Sequence, residues 1–578
     1  MRSKGKWNLR QFDPSLRDEH LRFGMPETEA RLLSQRGVRP ENVKAFYSPS
    51  LARISSPSSF GPGMSRAAEI MCECGRNGSA VGIVGDYDTD GIMSAAIIAR
   101  LCKDVGAVPL PFIPRREKEG YGLNDGTVMS VSSAWSSIPL GAIFVADSGS
   151  SSNRQILELK RTFGCPVVVI DHHIPDMARF ATAADAHVNW RVEGPEMCAA
   201  GECYMLARAV AELSDKVDPD RQAALAAIAT VADMVPASGD NRTLVRIGLG
   251  FEMVERSQCD GLQDLCLKSC SGTISQSAVS FQIAPRINSA GRVDDPSKSL
   301  ALMMTRDKAR IASLMASLEA YNKMRKAIQD GMEKEAENAA SESRRDGGIL
   351  LYSPSWHPGI CGIACSGLVS KLGVPCILFG SSNGRIKGSG RSLSGASIKS
   401  IMDACSGLFV GYGGHDMACG AELRPDKVSE ASDVFDRACL EHYAVHGRPS
   451  ADKRYDAEIS VSQVNKKNAF KLFKTFYPYS DKDNPEPVFK IAGATAESVK
   501  LRAGDYSRFT TFRLVKDGKR TPLELMLFHG EGEPVRNGDL VDAYVSLPQI
   551  GADAEEGWDA GYEATADVVE ICLANRCS

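Results

Sequence analysis

Residues 85–91 read Gly-Asp-Tyr-Asp-Thr-Asp-Gly. Asp86, Asp88 and Asp90 stand at i, i+2 and i+4, a spacing that an extended chain turns to one face. Three carboxylates held so close repel one another unless a cation neutralises them. A calcium loop of the EF-hand type opens with the same D-x-D-x-D-G pattern, but it follows a helix and needs Glu at its twelfth position. Counted from Asp86 that position is Ile97, and the preceding run is apolar and strand-like, so the calcium loop is excluded. Three further clusters carry ligand chemistry: Asp147 in Val-Ala-Asp-Ser-Gly, His172 and His173 in Ile-Asp-His-His, and Asp233 in Thr-Val-Ala-Asp-Met-Val-Pro. Alone, each Asp reads as a helix cap or turn residue. Together they form an oxygen and imidazole donor set without thiolate, which suits Mg²⁺ or Mn²⁺ better than structural zinc. Asp86, Asp88, Asp90, Asp147 and Asp233 bring up to five negative charges, which two divalent cations largely neutralise. Such a pair, ~3.5–4 Å apart, activates water and stabilises a phosphoryl transition state. The residues alone therefore point to two-metal phosphoester hydrolysis.

These clusters must be positioned by strands. Ala80–Val84, Ala107–Ile113, Gly141–Ala146 and Pro166–Ile170 are short apolar runs with polar residues just after each, the pattern of a parallel α/β sheet covered on both faces. Three of the four clusters follow such runs, and in open α/β sheets ligands bind outside the carboxyl ends of the strands. Residues 66–76, Ile92–Leu101 and Ala223–Val231 read as helices, and Ser55–Gly63 as a loop. Residues 305–345 form one long helix, with Ile311, Leu314, Met315, Leu318, Met324, Ile328 and Met332 at helical spacing. The β/α alternation resumes with Ile349–Tyr352 and Pro375–Phe379. The last ~130 residues are strand-like between turns, the pattern of a small β-barrel or sandwich.

The chain has 578 residues, enough for about four domains. Its 43% hydrophobic and 24% charged residues exclude a disordered or collagen-like chain. A formal charge of −4 means that any nucleic-acid surface must be local. The 17 cysteines include no C-x-x-C, so the expectation is buried free thiols in a reducing compartment. The start is basic without an apolar stretch behind it, and no run approaches the ~20 apolar residues of a membrane helix. A cytoplasmic protein away from membranes is expected.

The ordered set D-x-D-x-D-G, a strand-end Asp, Asp171-His172-His173 and Val231-Ala232-Asp233 resembles the DHH phosphoesterase superfamily. In the second half, Gly411-Tyr412-Gly413-Gly414-His415 and Gly388-Ser389-Gly390-Arg391-Ser392 resemble the elements of its associated substrate-binding domain, DHHA1. Within the superfamily the chain is similar to the RecJ-type single-stranded-DNA exonucleases. Ala284-Pro285-Arg286-Ile287-Asn288-Ser289-Ala290-Gly291-Arg292, Arg116 ahead of Gly120-Tyr121-Gly122, Trp356-His357-Pro358-Gly359 and Asp483-Asn484-Pro485-Glu486-Pro487-Val488-Phe489 carry that likeness. Three places depart from the pattern: Asn189-Trp190 stands where members often have Asn-Pro, Cys198–Cys203 replaces a small-residue turn, and Ser289 replaces Ala.

The resemblance implies an α/β fold: a parallel-sheet DHH domain and a smaller α/β DHHA1 domain joined by a long helix, plus a C-terminal β-barrel (OB-fold). The expected divisions are an N-terminal segment 1–65, the DHH domain 66–304, the connecting helix 305–345, the DHHA1 domain 346–445 and the OB-fold 446–578. It implies 5′→3′ hydrolysis of single-stranded DNA to mononucleotides in repair and recombination, with two Mn²⁺ or Mg²⁺ ions on Asp86, Asp88, Asp90, Asp147, His172 and Asp233. His173 is expected beside the metals, orienting or transferring a proton, among the catalytic residues with Asp88, Asp90, Asp147, His172 and Asp233. Arg116, Arg286, Arg292 and Arg391 suit phosphate because guanidinium forks bind its oxygens in pairs. Ser389 and Arg391 are expected on a terminal 5′-phosphate or a nearby one, with His357 and His415 lining the cleft within hydrogen-bond reach of the scissile phosphate. Residues 498–520 carry seven basic side chains against Asp505 and Asp517, interleaved with Tyr506, Phe509 and Phe512, the composition of a single-strand platform; at least one of these aromatics is expected in a barrel core instead. A single-strand-binding protein or a helicase is a possible further partner. Two alternatives stand: a DHH enzyme of short oligonucleotides, cyclic dinucleotides or pyrophosphate, and a non-catalytic scaffold.

Overall fold

The computed structural model describes residues 6–116, 118–120, 122–270, 274–343, 345–382, 384–449, 453–480, 483–503, 508–528, 535–547 and 565–573. Tyr121, Asp505, Tyr506 and the acidic stretch 553–564 lie outside the described residues, as does the Arg508 side chain.

Helix α1 (Gly61–Arg76) leads into β1 (Ala80–Val84), where Val81, Ile83 and Val84 are fully buried. The expected loop Ser55–Gly63 is in fact a helical turn, Pro57–Phe60, followed by the first turn of α1. Gly61 and Gly63 there are weak helix formers, but packing of Phe60 and Met64 into the core overrides that preference. After β1 comes α2 (Thr89–Val105), capped at its start by the Asp88 side chain and at its end by Gly106 in the left-handed region (φ 102°). The strands β2 (Val108–Phe112), β3 (Leu140–Ala146), β4 (Val167–Ile170) and β5 (Ala186–Val188) follow. All pair in parallel, in the order β2-β1-β3-β4-β5. The sheet changes direction between β1 and β3, and in such folds the crevice there is where ligands bind. Helices α3 (Ala199–Leu213) and α4 (Ala223–Ala232) close the core on one face.

Helix α5 (Ala284–Val293) packs on α6 (Lys308–Ser343), the long helix expected from the sequence. Ile311, Met315 and Leu318 of α6 belong to the first core, whereas Met332, Ala336 and Ala340 belong to the core of the second lobe. One continuous helix thus has each half buried in a different lobe. Met324, counted in the apolar stripe, is 53% exposed and sits between those two burials. The second lobe is a five-stranded sheet ordered β9-β10-β8-β7-β6, from β6 (Ile349–Tyr352), β7 (Cys376–Ser382), β8 (Arg385–Arg391), β9 (Phe409–Gly414) and β10 (Ala418–Leu423). Helix α7 (Pro358–Leu372) lies against β7 and β8.

After α8 (Lys466–Phe476), strands β11 (Val488–Ala503), β12 (Arg508–Lys516), β13 (Glu524–Phe528), β14 (Leu540–Ser546) and β15 (Thr565–Leu573) pair in a ring, β11-β14-β15-β13-β12 and back to β11. This closed five-stranded barrel, with β13 and β15 as its one parallel pair, is the OB-type arrangement expected. Phe512 is fully buried in its core, and Lys500, Arg502, Lys516, Lys519 and Arg520 are exposed. Residues of the expected N-terminal segment pack on both the barrel and the first lobe. Leu32, Leu33 and Val43 join the buried core of the barrel, Trp7–Leu9 pairs with Lys453–Tyr455, and Ile54 and Phe60 join the first lobe.

Candidate active site

Asp86 and Asp88 leave the end of β1, and Asp147 follows β3, so the strand order brings them together at the switch point. The reason differs from a simple extended face. Asp88 is the N-cap of α2, its Oδ1 accepting the Asp90 and Gly91 N–H groups at 3.1 and 3.2 Å. Asp90 lies inside the first turn of that helix and is buried. A Cβ at Gly91 would lie 2.5 Å from the Asp86 backbone, so only glycine lets the helix start this close to the strand end.

Each remaining acid is held by backbone. The Asp90 carboxylate accepts the N–H groups of Ala199 and Ala200 at 2.9 and 2.8 Å, at the N-terminus of α3, where the helix dipole favours negative charge. Asp147 has φ 60°, an unusual conformation for a residue with a side chain, fixed by its N–H donating to Ile170 O at 2.9 Å. Asp233 caps the C-terminus of α4. His172 is the hub: Nε2 lies 3.3 Å from Asp147 and 3.7 Å from Asp90, and Nδ1 lies 3.7 Å from Asp233.

Three overlapping triads have donor atoms close enough to share an ion: Asp86, Asp88 and Asp147; Asp90, His172 and Asp233; and Asp147, His172 and His173. Burial, then mutual repulsion, lifts the carboxylates: Asp86 to about 7 through burial and Asp88, Asp233 to about 8 through burial, Asp90 and Asp88. Asp147 is raised well above its ordinary value by burial and by Asp90, Asp88 and Asp86, and Asp90 is raised chiefly by burial. Among the described residues Asp86 Oδ1 and Asp147 Oδ1 are buried without a hydrogen-bond partner. Orphaned, crowded carboxylate oxygens around an imidazole fit a pair of hard divalent cations.

Asp171, which sequence reasoning left out of the site, holds the second histidine. Buried itself, it accepts His173 Nδ1 at 2.8 Å and the Ser150 N–H at 2.9 Å. Burial would raise Asp171, but the His173 bond overrides it and brings the carboxyl to about 2. Burial would lower His173, but Asp171 lifts it to about 9. Burial leaves His172 lowered, toward the neutral imidazole that a metal ligand requires. Asn189 was missed too. Its Nδ2 donates to His173 O at 2.9 Å and to Ser150 Oγ at 3.0 Å, bracing the loop. Its only sequence signal was the Asn of the Asn-Pro position.

Beside this cluster lies a cleft of about 820 Å³ between the lobes. Arg116, Arg292, His357 and Ser389 line it, with Arg385, Lys387 and Tyr412 as additional lining residues. Gly291 lines the cleft and lies against Tyr87, the residue between Asp86 and Asp88, which ties the cleft to the acids. Arg292 is anchored by Gly359 O at 2.9 Å, and His357 caps α7. Arg391 lies on the same face of β8 as Ser389 and against Gly362 of α7, but is not among the residues lining the cleft. His415 is on the exposed β9–β10 turn and likewise off the cleft wall. Arg286 points elsewhere: Nε pairs with Glu319 of α6 at 2.8 Å and Nη1 with Gln282 O. Its motif serves packing as well. Thr89 Oγ1 donates to Asn288 at 2.7 Å, and Gly291 lies so near Tyr87 that a Cβ would come within 2.6 Å of its ring.

Residues 80–231 match the model of the DHH family N-terminal domain, and residues 346–441 that of the DHHA1 domain. Single-stranded-DNA-specific exonuclease RecJ of Dickeya dadantii is 30% identical over 447 residues, 71% of this chain and 74% of that protein. The Thermus thermophilus protein of the same description is 30% identical over 82% of this chain and 69% of its own length. The Bacillus subtilis one is 27% identical over 86% of this chain, which spans 63% of that relative, less than two thirds of its length. Among solved structures, RecJ from Thermus thermophilus in complex with Mn²⁺ aligns over 99% of this chain and 80% of its own, with TM-score 0.80 and 24% identity, which shows the fold. An exonuclease RecJ bound to manganese aligns over 70% of this chain and 98% of its own, with TM-score 0.56 and 28% identity. With both family domains in place and relatives at 30% identity over most of their length, this chain belongs to the RecJ family of single-stranded-DNA-specific exonucleases of the DHH superfamily.

Proposed function

We propose that this chain degrades single-stranded DNA from its 5′ end to mononucleotides. The observation that carries this reading is the carboxylate–imidazole cluster at the sheet's switch point, opening beside a cleft walled by arginines. Asp86, Asp88 and Asp147, together with Asp90, His172 and Asp233, would hold two Mn²⁺ or Mg²⁺ ions. Such ions lower the pKa of water toward neutrality and polarise the phosphate.

The chain's own groups do the rest. Arg116 and Arg292 place the phosphodiester by paired hydrogen bonds, and Ser389 with Arg391 takes a terminal 5′-phosphate. Gly388 and Gly390 on either side of Ser389 serve close strand packing, since a Cβ would lie 2.4 Å from Leu378 O or 2.7 Å from Cys419 Sγ. Asp171 raises the proton affinity of His173 through its bond to Nδ1. With Nδ1 committed to Asp171, Nε2 is the nitrogen left to hold or deliver a proton at the departing 3′-oxygen. The barrel, with exposed Lys500, Arg502, Lys516, Lys519 and Arg520, supports a strand longer than the cleft. The barrel is what a short-oligonucleotide enzyme would not need, and the complete acid set is what a scaffold would not need.

Action in DNA repair and recombination, in the cytoplasm, and alongside a single-strand-binding protein or helicase is part of this proposal. The cysteines with described side chains are free and all but Cys270 buried, which suits a reducing compartment. Among the described residues no helix is long and apolar enough to cross a membrane.

The test is digestion of long single-stranded DNA labelled separately at its 5′ and 3′ ends, with Mn²⁺, Mg²⁺ or chelator, beside Asp147→Ala. Early metal-dependent release of 5′-labelled mononucleotide, lost in the variant, is expected. Cleavage of dinucleotides alone would identify a small-substrate enzyme, and DNA binding without cleavage of either a scaffold.

A further inference from the structure

Where relatives often carry Asn-Pro, this chain carries Asn189-Trp190-Arg191. The structure shows what that departure builds. Asn189 is locked to the His173 carbonyl and Ser150, and its Oδ1 accepts the Arg191 N–H at 2.8 Å. The Trp190 N–H donates to Glu202 at 2.8 Å, and the Trp190 ring packs against the core of the first lobe. Arg191 stacks its guanidinium over that ring, 4.3 Å from the centroid, and donates Nε to the His172 carbonyl at 2.8 Å. Both contacts fix the plane of the guanidinium and leave its two terminal amino groups, which have no protein partner among the described residues. The residue is exposed, and the neighbouring Glu193 carboxylate is turned away against Gly61. The Arg191 Nε bond holds it to His172, whose Nδ1 lies 3.7 Å from Asp233. It therefore borders the Asp90–His172–Asp233 side of the acid cluster, whereas Arg116 lines the cleft.

A guanidinium whose orientation is set by stacking and by its own Nε presents a two-pronged donor fork at little entropic cost. Phosphate oxygens match that fork, and a phosphodiester is the anion that this acid cluster would draw to its edge once loaded with divalent cations. The geometry points to a second phosphate subsite: Arg191, braced on Trp190 and His172 O, binds a backbone phosphate of the strand on the Asp233 side of the centre, apart from the subsite of Arg116, Arg292 and Ser389. The inference rests on the exonuclease reading above and adds a contact to it.

The experiment measures binding of a single-stranded oligonucleotide in chelator, where nothing is cleaved, across a series of salt concentrations. Wild type is compared with Arg191→Gln, whose amide can still donate to His172 O, and with Arg191→Lys. Each phosphate neutralised by a cationic side chain adds about 0.7 to the salt slope on single strands. R191Q is expected to lose about that much slope and several-fold affinity at low salt, to bind Mn²⁺ as wild type does, and to raise KM on DNA more than it lowers kcat. R191K is expected to keep the slope. An unchanged slope in R191Q overturns the subsite. So does weakened Mn²⁺ binding in R191Q with the slope intact, which would make Arg191 a brace for His172 alone. If the wild type neither binds nor digests single strands, the exonuclease reading fails and this inference with it; if the wild type digests them and R191Q keeps the full slope, only this inference fails.

Discussion

Replacing Asp171 by Asn keeps the shape of the residue behind His173 and removes its charge. In the native protein the Asp171 carboxyl falls from 3.8 to about 2. At about 1.4 kcal/mol for each tenfold change in proton affinity, that fall corresponds to about 2–3 kcal/mol of stability. Because the folded value is depressed, this stability is fully present above pH ~4 and lost as the pH falls toward 2. Asp171→Asn is therefore expected to lower unfolding free energy by about 2–3 kcal/mol at pH 7.5, measured in chelator by denaturant unfolding, with the gap to wild type closing below pH 4. The same substitution removes what holds His173 at about 9 against the effect of burial. A residue needed as imidazolium loses activity as the pH rises through its pKa, so the basic limb of the pH–rate profile should move to lower pH. At neutral pH the rate should fall by about 10²-fold or more, the range of a proton-transfer group. Unchanged stability with an unchanged basic limb would refute the role assigned to the Asp171–His173 pair.

Three further outcomes follow from the same structure. Asp86 at about 7 and Asp233 at about 8 are raised by burial and crowding, so the folded chain holds protons there that the unfolded chain releases; the metal-free protein should lose stability as pH rises from 4 to 8, and Mn²⁺ should raise the melting temperature more at pH 8 than at pH 5.5 in calorimetry. A Cβ at Gly362 would lie 3.1 Å from Arg391 Nη2 and 3.3 Å from Ser389 Cβ, so Gly362→Ala should reduce kcat/KM on 5′-phosphorylated strands several-fold more than on 5′-hydroxyl strands, with Arg391→Ala showing the same bias more strongly. Leu33 is fully buried in the barrel core, so Leu33→Ala should cost about 2–5 kcal/mol by denaturant unfolding, a loss that a detachable N-terminal segment would not show.

Local pattern by itself determined much of this protein. Short apolar runs ending in Asp or His announced the parallel sheet, because strands buried on both faces leave polar residues only at their ends. The stripe from Ile311 to Met332 announced the long helix, since 3.6-residue periodicity is set by the chain alone. Donor types named hard divalent cations before any geometry was known. Tertiary structure decided what those patterns could not express. Asp90 is held by the N–H groups of Ala199 and Ala200, more than a hundred residues away, so the partners of its carboxylate are invisible locally. Asp171, absent from the expected site, enters it as the support of His173 because its oxygens are taken by His173 and Ser150. Arg286 reads as a phosphate ligand until Glu319 of α6 is seen beside it. The first residues of the chain join a barrel formed by the last ones through Leu32 and Leu33, as burial acts between surfaces regardless of sequence distance. Residue types set which chemistry was available, and long-range packing settled which of those side chains were left free to perform it.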